Sequence, residues 1–172
     1  MLINKRDNII LIITLTIETY NGVFVSSLAK KQTTKTRLIG LDLGSKRIGV
    51  AISDENQKIA TPFKTLQNNG LKNLISDLSV IIDENKIGGI IIGNPLNMDG
   101  SFGKASQSVT DISKNISKSV DINVCLWDER LSTVGAFNLS SQLDINVSKR
   151  EKKIDQNAAA FILQGALDFL NN

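Results

Sequence analysis

The 172-residue chain contains no histidine, one cysteine and two prolines. Without histidine there is no Ser-His-Asp or Cys-His catalysis, no imidazole base and no imidazole metal ligand. The single cysteine, Cys125, excludes an intrachain disulfide and a thiolate zinc cluster, and suits a reducing compartment. Few prolines and no long polar tract argue against a disordered linker. Chemistry is left to carboxylates, lysines, hydroxyls, or a metal held by oxygen. Oxygen ligands favour a hard cation such as Mg²⁺ or Mn²⁺.

An excess of one charge is also missing from most of the chain. The first 36 residues carry 5 of the 20 Lys and Arg and 2 of the 17 Asp and Glu, leaving 15 of each from Arg37 onward. Global basicity therefore gives little support for nucleic-acid binding, although a local basic patch remains open. Asn8 to Ala29 is apolar but interrupted by Glu18, short of the roughly 20 apolar residues of a spanning helix. Lys5-Arg6 ahead of that run, with Ser-Leu-Ala after it, has the outline of a secretory signal. The preferred expectation is a poorly ordered extension, or an upstream start codon, over residues 1–36. A single cytoplasmic domain is expected over 37–172, with no membrane association.

Arg37 to Leu43 reads as a buried strand ending at Gly44. Ile48 to Ser53 and Lys58 to Leu66 complete an antiparallel meander, and Pro62 marks the third strand as an edge. Leu71, Leu74, Ile75, Leu78, Ile81 and Ile82 have helical spacing, closed by Gly88-Gly89 ahead of a short strand, Ile90 to Ile92. After the loop Gly93 to Ser101, a helix carries Ala105, Val109, Ile112 and Ile116 on one face. Ile122 to Trp127 is a fifth strand, followed by a helix over Leu131 to Leu143 and a charged loop, Lys149 to Lys153. The last helix is expected to start after Asp155, with Ala158, Ile162, Ala166 and Phe169 as its buried stripe. A helix between strands implies parallel crossovers, so the class is mixed α/β.

Asp42 stands inside an apolar strand, where a charge is costly unless paired or coordinated. Alternation puts it on the face of Gly40 and Gly44, which are expected to clear space around it. Two uses fit it: a metal ligand, or a hydrogen-bond acceptor for the following turn. Asp128-Glu129 closes the fifth strand, and only one of the two is expected to face Asp42. A strand-end pair with Arg130 is the plainer alternative. Asp155 fits an N-cap. Dispersed carboxylates without histidine suit divalent-metal phosphoryl chemistry. Lys46, Arg47, Asn97, Arg130, Ser132 and Thr133 are candidate phosphate contacts. Trp127 is expected in the core, and Cys125 buried and inert.

IGLDLGSKRIGVAISD, IIIGNPLNMDGS, WDERLST and KIDQNAAAFIL, in this order, resemble the YqgF-type (RuvX-like) family of pre-16S ribosomal RNA nucleases, also described as Holliday-junction resolvases. The likeness spans 37–172. It implies an RNase H-like α/β fold: a five-stranded mixed sheet in the order 3-2-1-4-5, with helices on both faces. In that arrangement Asp42, the Asp128-Glu129 pair and Asp155 meet. Asp42, Glu129 and Asp155 are the implied ligands of Mg²⁺ or Mn²⁺, and Asp128 is counted with them in the catalytic set. The implied reaction is in-line hydrolysis of a phosphodiester, leaving a 5′-phosphate and a 3′-hydroxyl. A typical RNase H site would add an acid on the fourth strand, where this chain has Ile-Ile-Ile-Gly-Asn-Pro.

The implied partner is precursor 16S rRNA in a ribosomal precursor particle, handled by a monomer or weak homodimer. Branched DNA is the alternative substrate, and a non-catalytic RNA-binding assembly factor the alternative outside enzymes. The Asp42–Gly49 segment also resembles the first phosphate loop of actin-like ATPases and sugar kinases. Those need a second such domain, which the 136 residues from 37 to 172 are too short to supply.

Overall fold

The structure, a computed structural model, describes residues 36–97, 99–129 and 147–171, with the backbone alone for 147–156. Strands β1 (Arg37–Leu43), β2 (Arg47–Ser53) and β3 (Ala60–Gln67) form the expected meander. Helix α1 (Leu71–Asn85) leads to β4 (Ile87–Asn94), and α2 (Lys104–Ser119) leads to β5 (Asn123–Asp128). Helix α3 (Val147–Asn171) ends the described chain.

The sheet order is β3-β2-β1-β4-β5. β1–β2 and β2–β3 pair antiparallel, and β1–β4 and β4–β5 parallel. This is the RNase H-like mixed sheet implied by the sequence motifs. β3 is an edge, as Pro62 required, and its pairing slips between Lys64 and Pro62, leaving Phe63 as an extra residue in a bulge.

Alternation along the strands builds two cores. On one face Ile39, Leu41, Ile48, Val50, Ile90, Ile92, Val124 and Leu126 pack against Leu74, Leu78 and Ile81 of α1 and Val109 and Ile116 of α2. On the other face α3 lays Ala159, Ile162, Leu163, Ala166 and Leu167 over Ala51 and Ile91. Small residues let α3 lie close to the sheet. A Cβ on Gly40 would stand 2.7 Å from Leu163 Cβ and 2.8 Å from the Ala159 carbonyl oxygen.

Several boundaries differ from those read in the sequence. Gly88-Gly89 does not close α1; both glycines belong to β4. The helix is closed by Lys86 in the left-handed region (φ 54°), its N–H donating to the Ile82 carbonyl. Helix α3 begins at Val147, so Lys149 to Lys153 is helix rather than loop, and Asp155 is an interior residue rather than an N-cap. The Lys/Arg/Glu content of that stretch is compatible with a helix as well as with a loop, and charge alone does not separate the two. Ala105 is exposed, and Ser106 takes the buried position beside it. Phe169 is half-exposed and meets Trp127 edge to face, with ring centroids 6.0 Å apart. The helix expected over Leu131 to Leu143 lies outside the described residues. Among those described, no helix is long and apolar enough to cross a membrane.

Because the atoms that would meet a Cβ at Gly40 belong to the helix backbone and a Cβ, they cannot swing aside. Gly40→Ala is expected to destabilise the protein by about 1–3 kcal/mol through overpacking. Urea unfolding of both proteins measures this, and equal midpoints would contradict the close docking of α3.

Candidate active site

Asp42 lies near the C-terminal end of β1, the central strand. Its β2 partner is Gly49. On the β4 side the register runs Leu41 opposite Ile92, so Gly93 stands beside Asp42 one residue on. The carboxylate-bearing position is thus flanked across the sheet by two residues without side chains. The glycines expected to clear space along the strand do other work. Gly40 is covered by α3, and Gly44 sits in the β1–β2 turn, where a Cβ would meet the Arg47 carbonyl oxygen at 2.5 Å. Strand alternation put Gly40 on the correct face, but the helix fills that face.

Glu129 follows β5, and its side chain folds back over β4. A Cβ placed on Gly93 would collide with Glu129 Oε1, lie 3.2 Å from Glu129 Cδ and 2.6 Å from Ile162 Cδ1 of α3. Glu129 therefore shares the α3 face of the sheet with Asp42. Its carboxyl is pushed up to about 7, first by burial, then by the charges of Asp42 and Asp128. Asp128 takes the opposite face. It continues the alternation of Val124 and Leu126, and it pairs with Asn94, whose side-chain oxygen accepts the Ser106 hydroxyl at 2.6 Å.

Asp155 is described by its backbone. Ala159, one turn later in α3, has its carbonyl against Gly40. Further on, Gln164 accepts the Ala60 N–H and Asn171 donates to the Gln57 carbonyl, at the end of the sheet where β1 starts. Helix α3 thus runs antiparallel to β1, and its turn at Asp155 falls toward the Asp42 end. Among the described residues no three or more ligating side chains form a metal cluster. The donor set of Asp42 and Glu129 nevertheless fits a hard divalent cation. It is all oxygen and anionic, and the repulsion that raises Glu129 is relieved when positive charge lies between the two.

The remaining candidates disperse. Lys46 is exposed in the β1–β2 turn, where its carbonyl accepts the Asn68 N–H at 3.0 Å. Arg47 is half-buried at the start of β2, opposite Gln67 and on the alternation of Gly49 and Ala51 that faces α3. Asn97 staples its own loop. Its amide donates to Ser101 Oγ at 2.9 Å, and its backbone N–H donates to the Ser101 carbonyl at 3.0 Å. Asp99 Oδ1 accepts the Ser101 N–H and hydroxyl in the same turn. Arg130, Ser132 and Thr133 lie outside the described residues. Cys125 is largely buried, which pushes its thiol up to about 11. Sequence reasoning missed the contribution of Gly93 and Ile162. Ile162 was read only as part of a buried helix stripe, and Gly93 only as a glycine at a strand end, a signal shared by any crossover loop.

The raised Glu129 carboxyl has a signed consequence in metal-free protein. Its folded value lies above that of an unfolded glutamate, so the neutral form contributes stability in full below about pH 4.5. That contribution is lost as pH rises through about 7. Glu129→Gln stays neutral throughout. With chelator present, its urea midpoint is expected to gain on wild type between about pH 5 and about pH 8. Parallel profiles would show that the carboxyl is not held in this environment.

A family model described as "RuvX: Holliday junction resolvase" matches residues 36–169. A Pelagibacter ubique protein described as "Putative pre-16S rRNA nuclease" is 70% identical over 142 residues, covering 83% of this chain and 94% of its own. A Ruegeria pomeroyi protein of the same description is 44% identical over 135 residues, covering 78% and 88%. Among solved structures, T. thermophilus RuvC in complex with Holliday junction substrate aligns with a TM-score of 0.48 and 8% identity, over 78% of this chain and 93% of that one. With its strand order, its two acids on one face and a family match across the described fold, the chain belongs to the RuvX family.

Proposed function

We propose that residues 37–172 form a divalent-metal-dependent phosphodiester hydrolase that trims the 5′ end of precursor 16S rRNA during ribosome biogenesis. The observation that carries the reading is the convergence of Asp42 and Glu129 on one face of the sheet, from the C-terminal ends of β1 and β5 with β4 between them. The description shared by the Pelagibacter and Ruegeria relatives supports the substrate. The family model's description favours a second reading, resolution of four-way DNA junctions.

Asp42, Glu129 and Asp155 are the proposed ligands of Mg²⁺ or Mn²⁺, with Glu129 preferred over Asp128 because Glu129 faces Asp42. When bound, the cation supplies a Lewis acid that activates water and neutralises charge on the phosphate and leaving oxygen. The chain's own residues then do the positioning. Asp42 fixes one edge of the site from the central strand of the sheet. Glu129 fixes the other, and Ile162 excludes water behind it. Lys46 and Arg47 are proposed to hold flanking phosphates, and Arg130, Ser132 and Thr133 to complete that contact. Asn97 is proposed to shape the loop beside it. The protein is proposed to act in the cytoplasm on a ribosomal precursor particle, as a monomer or weak homodimer.

The test incubates the full chain, Asp42→Asn and Glu129→Gln with Mg²⁺ or Mn²⁺. The substrates are precursor 16S RNA, generic single-stranded RNA and a four-way DNA junction. Wild type is expected to cleave the precursor, chelator to abolish cleavage, and each variant to lose at least about a hundredfold in rate. Preference for the junction would establish the second reading. Equal rates in wild type and Asp42→Asn would place the chemistry elsewhere. RNA binding without cleavage of any substrate would make the protein an assembly factor.

A further inference from the structure

Within β4 (Ile87–Asn94) there is no acidic residue, yet a carboxylate lies over it. It belongs to Glu129 and arrives from the end of β5. The space it fills is the one a side chain at position 93 would occupy, beside Asp42 on β1. Ile162 Cδ1 of α3 closes the space from above. Gly93 is buried in the centre of the sheet and has no positive φ, so its backbone does not require glycine. What requires glycine is the pair of side chains over it, the Glu129 carboxylate and the Ile162 tip, and of the two only the carboxylate is a potential ligand.

We propose that Gly93 is a positioning residue for the acidic site: the bare strand lets the Glu129 carboxylate lie across β4 and meet Asp42. The division of labour is that β5 supplies the acid and β4 the vacancy that receives it. A single methyl at position 93 fills that vacancy. Glu129 then swings toward solvent, away from Asp42, while the strand pairing of β4 is kept. The proposal rests on the reading of Asp42 and Glu129 as metal ligands. It makes position 93 a determinant of cation affinity although Gly93 has no donor atom of its own.

Gly89 provides the control. It lies on the same face of the same strand, and a Cβ there meets the flexible tip of Leu38, Cδ2 at 2.9 Å, rather than an acid. Wild type, Gly93→Ala and Gly89→Ala, each as the full chain, would be titrated with Mn²⁺ by calorimetry, and Gly93→Ala would be crystallised. Gly93→Ala is expected to bind Mn²⁺ about 10- to 100-fold more weakly, the range for losing a group that orients a ligand. Gly89→Ala is expected to keep wild-type affinity. The crystal structure is expected to show the Glu129 carboxylate displaced from above residue 93.

An unmoved carboxylate, or unchanged Mn²⁺ affinity beside a binding wild type, overturns the proposal. Equal weakening in Gly89→Ala also overturns it, because the effect would then belong to the strand. Should wild type bind no Mn²⁺, the metal reading fails by itself, and the position of Glu129 in the crystal decides the role of Gly93. If Gly93→Ala does not fold, Gly93→Ala/Glu129→Ala replaces it. Recovery of folding supports the collision as the cause, and continued misfolding overturns it.

Discussion

Two carboxylates brought onto the same side of one sheet repel each other, and burial makes the repulsion stronger. The site around Asp42 and Glu129 is organised around that constraint. The chain does not relieve it by moving the acids apart. β1 holds Asp42 in the central strand of the sheet, and β4 gives up a side chain at Gly93 so that Glu129 can approach. Ile162 then covers the approach from α3. Left alone, the arrangement holds Glu129 protonated to an unusual degree. The proposed divalent cation would offset that repulsion by lying between the two carboxylates.

The sheet's asymmetry follows from what each face must accommodate. The α1/α2 face is built from Ile, Leu and Val in alternation and is an ordinary close-packed core. The α3 face uses Gly40, Ala51, Ala159 and Ala166, so the helix sits low over the strands. Low seating brings the turn that contains Asp155 toward the end of β1 where Asp42 lies. Packing of small residues in the middle of α3 and delivery of an acid near its start are thus one feature. The glycine at position 40, which in sequence looks like clearance for a ligand, is clearance for the helix that carries the third proposed ligand.

Much of the fold was legible in one dimension. The bounds of β1 are those read from the apolar run, Pro62 identified the edge strand, and the spacing from Leu71 to Ile82 identified α1 and its buried face. The errors cluster where local chemistry is ambiguous. Gly88-Gly89 is punctuation in most contexts, but here both residues lie in a strand buried on both faces. The charged stretch Lys149 to Lys153 suits loop and helix equally, so the true start of α3 could not be found from it. Asp155 looked like an N-cap because the start of the helix had been placed nine residues late.

For the candidate site, the sequence by itself determined the inventory. With no histidine and a single cysteine, the candidate donors were oxygens, and strand alternation fixed the face on which Asp42 lies. It could not choose between Asp128 and Glu129, since adjacent residues differ only in facing and Glu129 lies just past the strand. Which of the two lies on the Asp42 face is visible only in the tertiary structure, where Glu129 is admitted by an absent side chain on a different strand and enclosed by a residue from α3. Residues 93, 129 and 162 share no local pattern. Their relation is one of volume across three elements, which exists only once the sheet is assembled and the helix is laid on it.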